Sequence, residues 1–189
     1  MEYSEIRHSL RGFPVEYAVL GFLVEEPLHG YALRSHIAQG LGPLWHVASS
    51  QLYQVLHRLE EQNWACHSSE APSAGPSKTV YHVTSNGEYA FWEWAQAPVD
   101  SMRNVRVEFA AKLYFLRRLK LKAVSTLIDG QLSALEKMED RVLSERREGG
   151  DDSTLNSAWV TLQTATIDNF VRWLTDHREQ LSTDKEKEV

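Results

Sequence analysis

The apolar positions of this chain repeat at helical spacing over most of its length. Residues 15–25, VEYAVLGFLVE, are apolar on nearly all sides, and the following Pro27 marks the end of a buried helix near Glu26. Residues 30–39 form a short second helix, stopped by Gly40 and Gly42-Pro43. In a third helix Leu52, Val55, Leu56 and Leu59 fall at i, i+3, i+4 and i+7, with Ser49 or Ser50 as its N-cap. The opposite face carries Gln51, Gln54, His57, Arg58 and Glu61. The period then changes. Trp64–Ser68 and Thr79–Val83 read as two strands, separated by the turn-rich EAPSAGPSK, which makes a hairpin with a long tip. Thr84 caps a helix that runs to about Ala97, closed by Pro98.

The second half is helical by pattern. Val105–Leu119 is amphipathic. In 121–147 the residues Leu121, Val124, Ile128, Leu132, Leu135, Met138 and Val142 alternate steps of three and four, a coiled-coil-like seam that needs a partner helix. Gly149-Gly150 interrupts the pattern, with Asp151, Asp152 and Ser153 as caps for the next helix. Leu155, Trp159, Leu162, Phe170, Trp173 and Leu174 resume it through 154–181, and the terminal STDKEKEV is expected to fray. The expected fold is mainly α: a winged helix-turn-helix with a small β-hairpin wing in residues 1–100, then a long-helix dimerisation domain in residues 101–189.

Composition narrows the class. The chain has 189 residues, 42% hydrophobic and 24% charged, the profile of a soluble globular protein. No apolar run reaches the ~20 residues that span a bilayer. The segment MEYSEIRHSL is acidic and polar, unlike a secretory signal, and Cys66 is the one cysteine, so a reducing cytoplasm is expected. Charge complicates the picture. Residues 1–100 carry five Arg/Lys against eleven Asp/Glu, whereas residues 101–189 carry fifteen of each. A duplex-binding half is usually basic, because phosphate neutralisation supplies most non-specific affinity. Seven of the eight histidines lie in this acidic half. Protonation of His36, His46, His57 or His82 below about pH 6.5 would reduce its negative charge. The histidines have no zinc-ligand spacing, and Cys66-His67 lacks partners in sequence. No phosphate loop, nucleophile elbow or metal motif is present, so neither catalysis nor a cofactor is expected.

The polar face of 49–61 suits duplex recognition. Gln51 and Gln54 can pair with adenine edges, and Ser49 and Ser50 can meet a base or a phosphate. An ordinary solvated face would look the same. A combination of motifs extends the reading. Leu20-Gly21-Phe22-Leu23, Pro27-Leu28-His29-Gly30-Tyr31-Ala32-Leu33, Leu52-Tyr53 with Leu56 and Leu59-Glu60-Glu61, and Tyr81-His82-Val83-Thr84 with Gly87 together resemble the PadR family of bacterial transcriptional regulators. Glu108-Phe109-Ala110-Ala111-Lys112-Leu113 before two long helices resembles its longer members, the virulence-gene activator type.

The resemblance covers about residues 15–180 and implies a homodimer on double-stranded DNA, at an inverted-repeat operator. It implies DNA contacts from Ser49, Ser50, Gln51, Tyr53 and Gln54, with His57 and Arg58 on the same helix and Lys78 and Tyr81 in the wing. The family commonly has Gly where this chain has Gln51 and Pro where it has Gln54, and its wing is usually richer in Arg and Lys. Some of these regulators bind flat aromatic ligands between subunits. Trp92, Trp94, Tyr114 and Trp173 are the candidate lining of such an effector pocket, although their helical spacing assigns them more readily to core and dimer packing. Two other functions compete: a protein-binding winged helix, and an aromatic-ligand sensor without strong DNA binding.

Overall fold

In a computed structural model, which describes residues 15–44, 46–70, 78–148 and 154–183, the elements follow the order expected from the pattern. They are α1 (Val15–Glu25), β1 (Leu28–His29), α2 (Gly30–Gly40), α3 (Ser49–Glu61), β2 (Ala65–Glu70), β3 (Lys78–Val83), α4 (Ser85–Gln96), α5 (Met102–Leu119), α6 (Ala123–Glu148) and α7 (Thr154–Ser182). The expected hairpin tip at 71–77, the Gly149-Gly150 break with its caps, and the terminal 184–189 lie outside the described residues. The chain divides into two compact units, Met1–Ala95 with Ala110–Phe115, and Gln96–Phe109 with Leu116–Val189. The middle of α5 thus belongs to the first unit and its two ends to the second.

The first unit is a winged helix-turn-helix. Helix α1 is buried on most sides, as its apolar run requires, and Gly21 lets the Phe115 ring approach: a Cβ there would stand 2.5 Å from that ring. Phe115 also packs edge-on against Phe22 and Phe91, at centroid distances of 5.1 and 5.5 Å. Leu33 and Ile37 of α2 and Leu52, Val55, Leu56 and Leu59 of α3 complete this core.

Helix α3 ends in a tight reversal. Asn63 takes a left-handed backbone, φ 55°, and the Trp64 N–H donates to Leu59 O at 2.8 Å, the six-to-one bond of a Schellman turn. Asn tolerates that conformation better than most residues. The strands form an antiparallel sheet in the order β1-β3-β2, with Ala65 opposite Val83 and Glu70 opposite Lys78. Strand β1, only Leu28 and His29, pairs with Tyr81 and Val80 and was not foreseen.

The Thr-x-x-Gly pattern has a physical basis. The Thr84 hydroxyl donates to Asn63 O at 2.7 Å and accepts the Gly87 N–H at 3.1 Å, so it caps α4 and ties it to the reversal. Gly87 is required by close approach, because a Cβ there would stand 2.0 Å from the Trp64 carbonyl oxygen.

In the second unit α6 and α7 run antiparallel. Ser125 bonds Ser182 at 3.1 Å, and Arg178 pairs with Asp129 at 2.6 Å. The buried seam of α6 runs Val124, Ile128, Gln131, Leu135, Met138. The expected Leu132 is only half-buried, and the buried Gln131 takes its place. Its side chain accepts from Val99 N at 2.8 Å and donates to Val99 O at 2.9 Å, which satisfies both polar groups of a buried linker residue. On α7 the buried positions are Val160, Ile167 and Leu174, seven residues apart.

Candidate nucleic-acid interface

Helix α3 carries most of the candidate residues, and its two halves differ. Ala48, not Ser49 or Ser50, is the N-cap, and it makes no side-chain cap bond. Both serines are instead the first helical residues, Ser49 half-buried and Ser50 exposed. The first-turn N–H groups therefore have no side chain across them. Gln51, Tyr53, Gln54 and His57 are exposed, and together with Ser50 they form the outward face of the helix. Tyr53 is anchored on one side, since its ring lies across Gly30, where a Cβ would stand 3.0 Å from the phenol oxygen. His57 stands 3.5 Å from Glu61 on the same face.

The C-terminal half of α3 is held on both flanks. On one, Arg58 reaches back to α1, where its Nε and Nη2 donate to Glu16 Oε1 at 3.1 and 2.6 Å. Glu16 is 5% exposed, and its Oε2 has no hydrogen-bond partner among the described residues. Arg58 was expected to face DNA; its guanidinium is committed to this carboxylate. On the other flank, Glu60 hydrogen-bonds His67 of β2, and the His67 ring stands edge-on to Tyr81 at 6.1 Å. Burial pushes the Tyr81 phenol above its usual range, with further upward contributions from the charge of Glu60 and from Tyr53. Tyr81 is thus a neutral, half-buried phenol behind α3. Lys78 opens β3, where the wing begins.

The other histidines considered are dispersed. His36 packs edge-on to Phe22, His46 is exposed in the α2–α3 turn, and His82 bonds the Ser68 hydroxyl at 2.9 Å. Among the described residues no three His, Cys, Asp or Glu side chains gather as a metal site.

The aromatic residues proposed for an effector pocket are engaged in packing. Trp94 stacks on Tyr17 at 5.1 Å with Lys112 Nζ 5.2 Å from its ring, Trp92 packs against Phe91, and Tyr114 packs against Phe22. Trp173, in the second unit, stacks between Phe170 and His177. A cavity beside α3 is lined by Arg34, Ile37, Ala38, His46, Val47 and Leu52, none of them in that set.

Sequence reasoning gave no role to Arg34, Tyr31 or Glu16. Tyr31, Arg34 and Ala38 lie on the exposed side of α2, at i, i+3 and i+7, with Tyr31 80% exposed. That spacing was the available signal. Glu16 gave none, because it sits in an otherwise apolar run and its partner is 42 residues away.

Residues 19–93 match the model of the transcriptional regulator PadR-like family. The chain is 28% identical over 118 residues to the negative transcriptional regulator PadR of Bacillus subtilis, a match spanning 62% of this chain and 65% of that protein's length. The crystal structure of Bacillus subtilis PadR in complex with operator DNA has 23% identity and a TM-score of 0.45, covering 88% of this chain and 98% of that one. Its complex with p-coumaric acid has 22% identity and a TM-score of 0.41, covering 89% and 99%. No helix among the described residues is long and apolar enough to cross a membrane.

Proposed function

We propose that this chain, whose residues 19–93 match the PadR-like family of transcriptional regulators, is a regulator of that kind and binds duplex DNA in a sequence-specific way as a homodimer. The carrying observation is the division of labour on α3. Its C-terminal half is pinned by Glu16–Arg58 and Glu60–His67, while Ser50, Gln51 and Gln54 face solvent, with the exposed Tyr53 across Gly30 and His57 near Glu61 beside them. A helix held from behind with hydrogen-bonding side chains forward is the geometry that enters a major groove. Ser49 and Ser50 serve the backbone at the helix start, Gln51 and Gln54 read base edges, and Lys78 and the wing flank the groove. Arg58 and Tyr81 support the helix and do not touch DNA.

The dimer reading rests on α7. Leu155 is 81% exposed, Trp159 57%, Leu162 58% and Trp173 38%. At 100° per residue these positions share one stripe, about 120° round the helix from Val160, Ile167 and Leu174. One face of α7 is spent on α6, and the other carries this exposed apolar stripe, with Thr166 and Asn169 between Leu162 and Trp173. A second copy supplies the partner, and the twofold symmetry that results requires an inverted-repeat operator in cytoplasmic DNA, with half-sites about one helical turn or a multiple apart.

The test is selection of genomic fragments bound by the full chain, followed by affinity measurements across salt. The expected outcome is an enriched inverted repeat whose affinity falls steeply with salt. Gln51→Ala and Gln54→Ala should each cost roughly 1–3 kcal/mol on that repeat and little on unrelated duplex. Absence of duplex binding near physiological salt would favour the protein-interaction reading instead.

A further inference from the structure

The acidic first unit needs cations to hold a polyanion, and very few of its side chains can serve. Its described arginines and lysines are Arg34, Arg58, Lys78 and Lys112. Arg58 is bound to Glu16, and Lys112 is 1% exposed beneath Trp94. The side chain of Lys78 lies outside the described set. Arg34 alone among the described side chains of this unit is an exposed arginine or lysine, and it makes no ion pair or hydrogen bond with another described residue.

Arg34 is not isolated. It lines a cleft together with His46, which is exposed and equally unengaged; the buried side chains of Ile37, Val47 and Leu52 and the exposed Ala38 complete the lining. Its lining comes from α2, the connection that follows it and Leu52 in the first turn of α3. A guanidinium presents a planar fork of donors suited to two phosphate oxygens, and an imidazole in the same lining adds a further donor. The apolar part of the lining supplies no competing acceptor side chain.

We infer that Arg34 and His46 form a phosphate-holding site for the DNA backbone next to the groove entered by α3. This rests on the DNA-binding reading and deepens it. Gln51 and Gln54 would supply sequence discrimination, while Arg34 with His46 would fix the register of α3 on the duplex without reading bases.

The experiment uses the full-length protein and a mixed-sequence 30-base-pair duplex, with the slope of log K against log salt as the readout. Arg34→Gln and the double variant Arg34→Gln/His46→Gln are compared with Arg172→Gln, an exposed substitution in the second unit. The Arg34 variants should bind roughly three- to tenfold more weakly at moderate salt, with a slope smaller by about one. Any operator fragment should weaken by the same factor as the mixed duplex, and Arg172→Gln should behave as wild type. Unchanged thermal melting confirms that the variants are folded. An unchanged slope in a wild-type protein that does bind duplex overturns the inference. So does a loss confined to the operator, which would make Arg34 a base reader. A wild-type protein that binds no duplex overturns the DNA-binding reading itself.

Discussion

Removal of the Arg58 guanidinium should expose what the Glu16 carboxylate costs when it is unpaired. Glu16 is nearly buried, its Oε1 is shared by two donors of Arg58, and its Oε2 has no partner among the described residues. Breaking a fully buried ion pair from one side costs about 3–5 kcal/mol, because an uncompensated charge remains. The Arg58 side chain is 38% exposed and the Glu16 side chain 7%, so water already screens one partner. Arg58→Ala should therefore destabilise by about 2–3 kcal/mol, a Tm fall of about 5–10 °C for a chain of this length. Glu16→Leu/Arg58→Met, which removes both charges and keeps the volume, should lie within about 1 kcal/mol of wild type. Denaturant midpoints at constant m-value measure both. The reasoning fails if Arg58→Ala is within about 0.5 kcal/mol of wild type, the usual range for an inconsequential surface change, or if the double variant is as unstable as the single one. The double variant also settles the job of Arg58, since a phosphate contact would lower its salt slope by about one even though its stability is restored.

Three further outcomes are expected. Gly87→Ala should cost at least about 3 kcal/mol in denaturant unfolding, because its Cβ meets the Trp64 carbonyl at 2.0 Å and backbone yields less than a side chain; a near-neutral result would contradict that approach. The raised pKa of Tyr81 favours the protonated phenol in the folded state. Its contribution to stability is therefore present below the ordinary phenol pKa of about 10 and is lost as pH rises beyond it. Tyr81→Phe should flatten this alkaline decline, and identical pH curves for the two proteins would refute the assignment. If α7 carries the proposed dimer contact, Trp159→Glu/Leu162→Glu should shift the sedimentation of the protein from dimer toward monomer while helical content is kept; an unchanged sedimentation coefficient would refute that contact.

The fold was legible where each residue's burial follows from its own type and spacing. The apolar face of α3 and the Thr84 cap rest on contacts a few residues apart in sequence, and both appear in the structure. Strand β1 was not legible, because two residues carry no period and Leu28-His29 become a strand only when Val80 and Tyr81 pair with them. The α6 seam was legible only in part: Leu121, which precedes the helix, Leu132 and Val142 are half-buried, and at Leu132 the reason is related. Apolar counting selects Leu132, but Gln131 is buried because its amide satisfies both backbone groups of Val99, 32 residues away. The candidate site divides similarly. Outward polar residues of α3 can be read from the pattern, whereas nothing local shows that Arg58 turns back to Glu16.

Charge makes the two proposals depend on each other. A winged helix with one exposed arginine among its described side chains neutralises few phosphates, and each contact contributes only about one to the salt slope. A single copy would hold duplex weakly at physiological salt. Two copies joined through α7 double the contacts, and once one winged helix is bound the other engages as an intramolecular step, at an effective concentration set by the linkage. The exposed stripe of α7 and the sparse cations of the first unit are therefore complementary features. On these proposals, a protein with this charge distribution would gain usable DNA affinity from dimerisation and from uncharged donors such as Gln51 and Gln54. Because those donors favour correct base pairs over phosphate in general, its specific-to-non-specific ratio should exceed that of a basic winged helix of equal operator affinity.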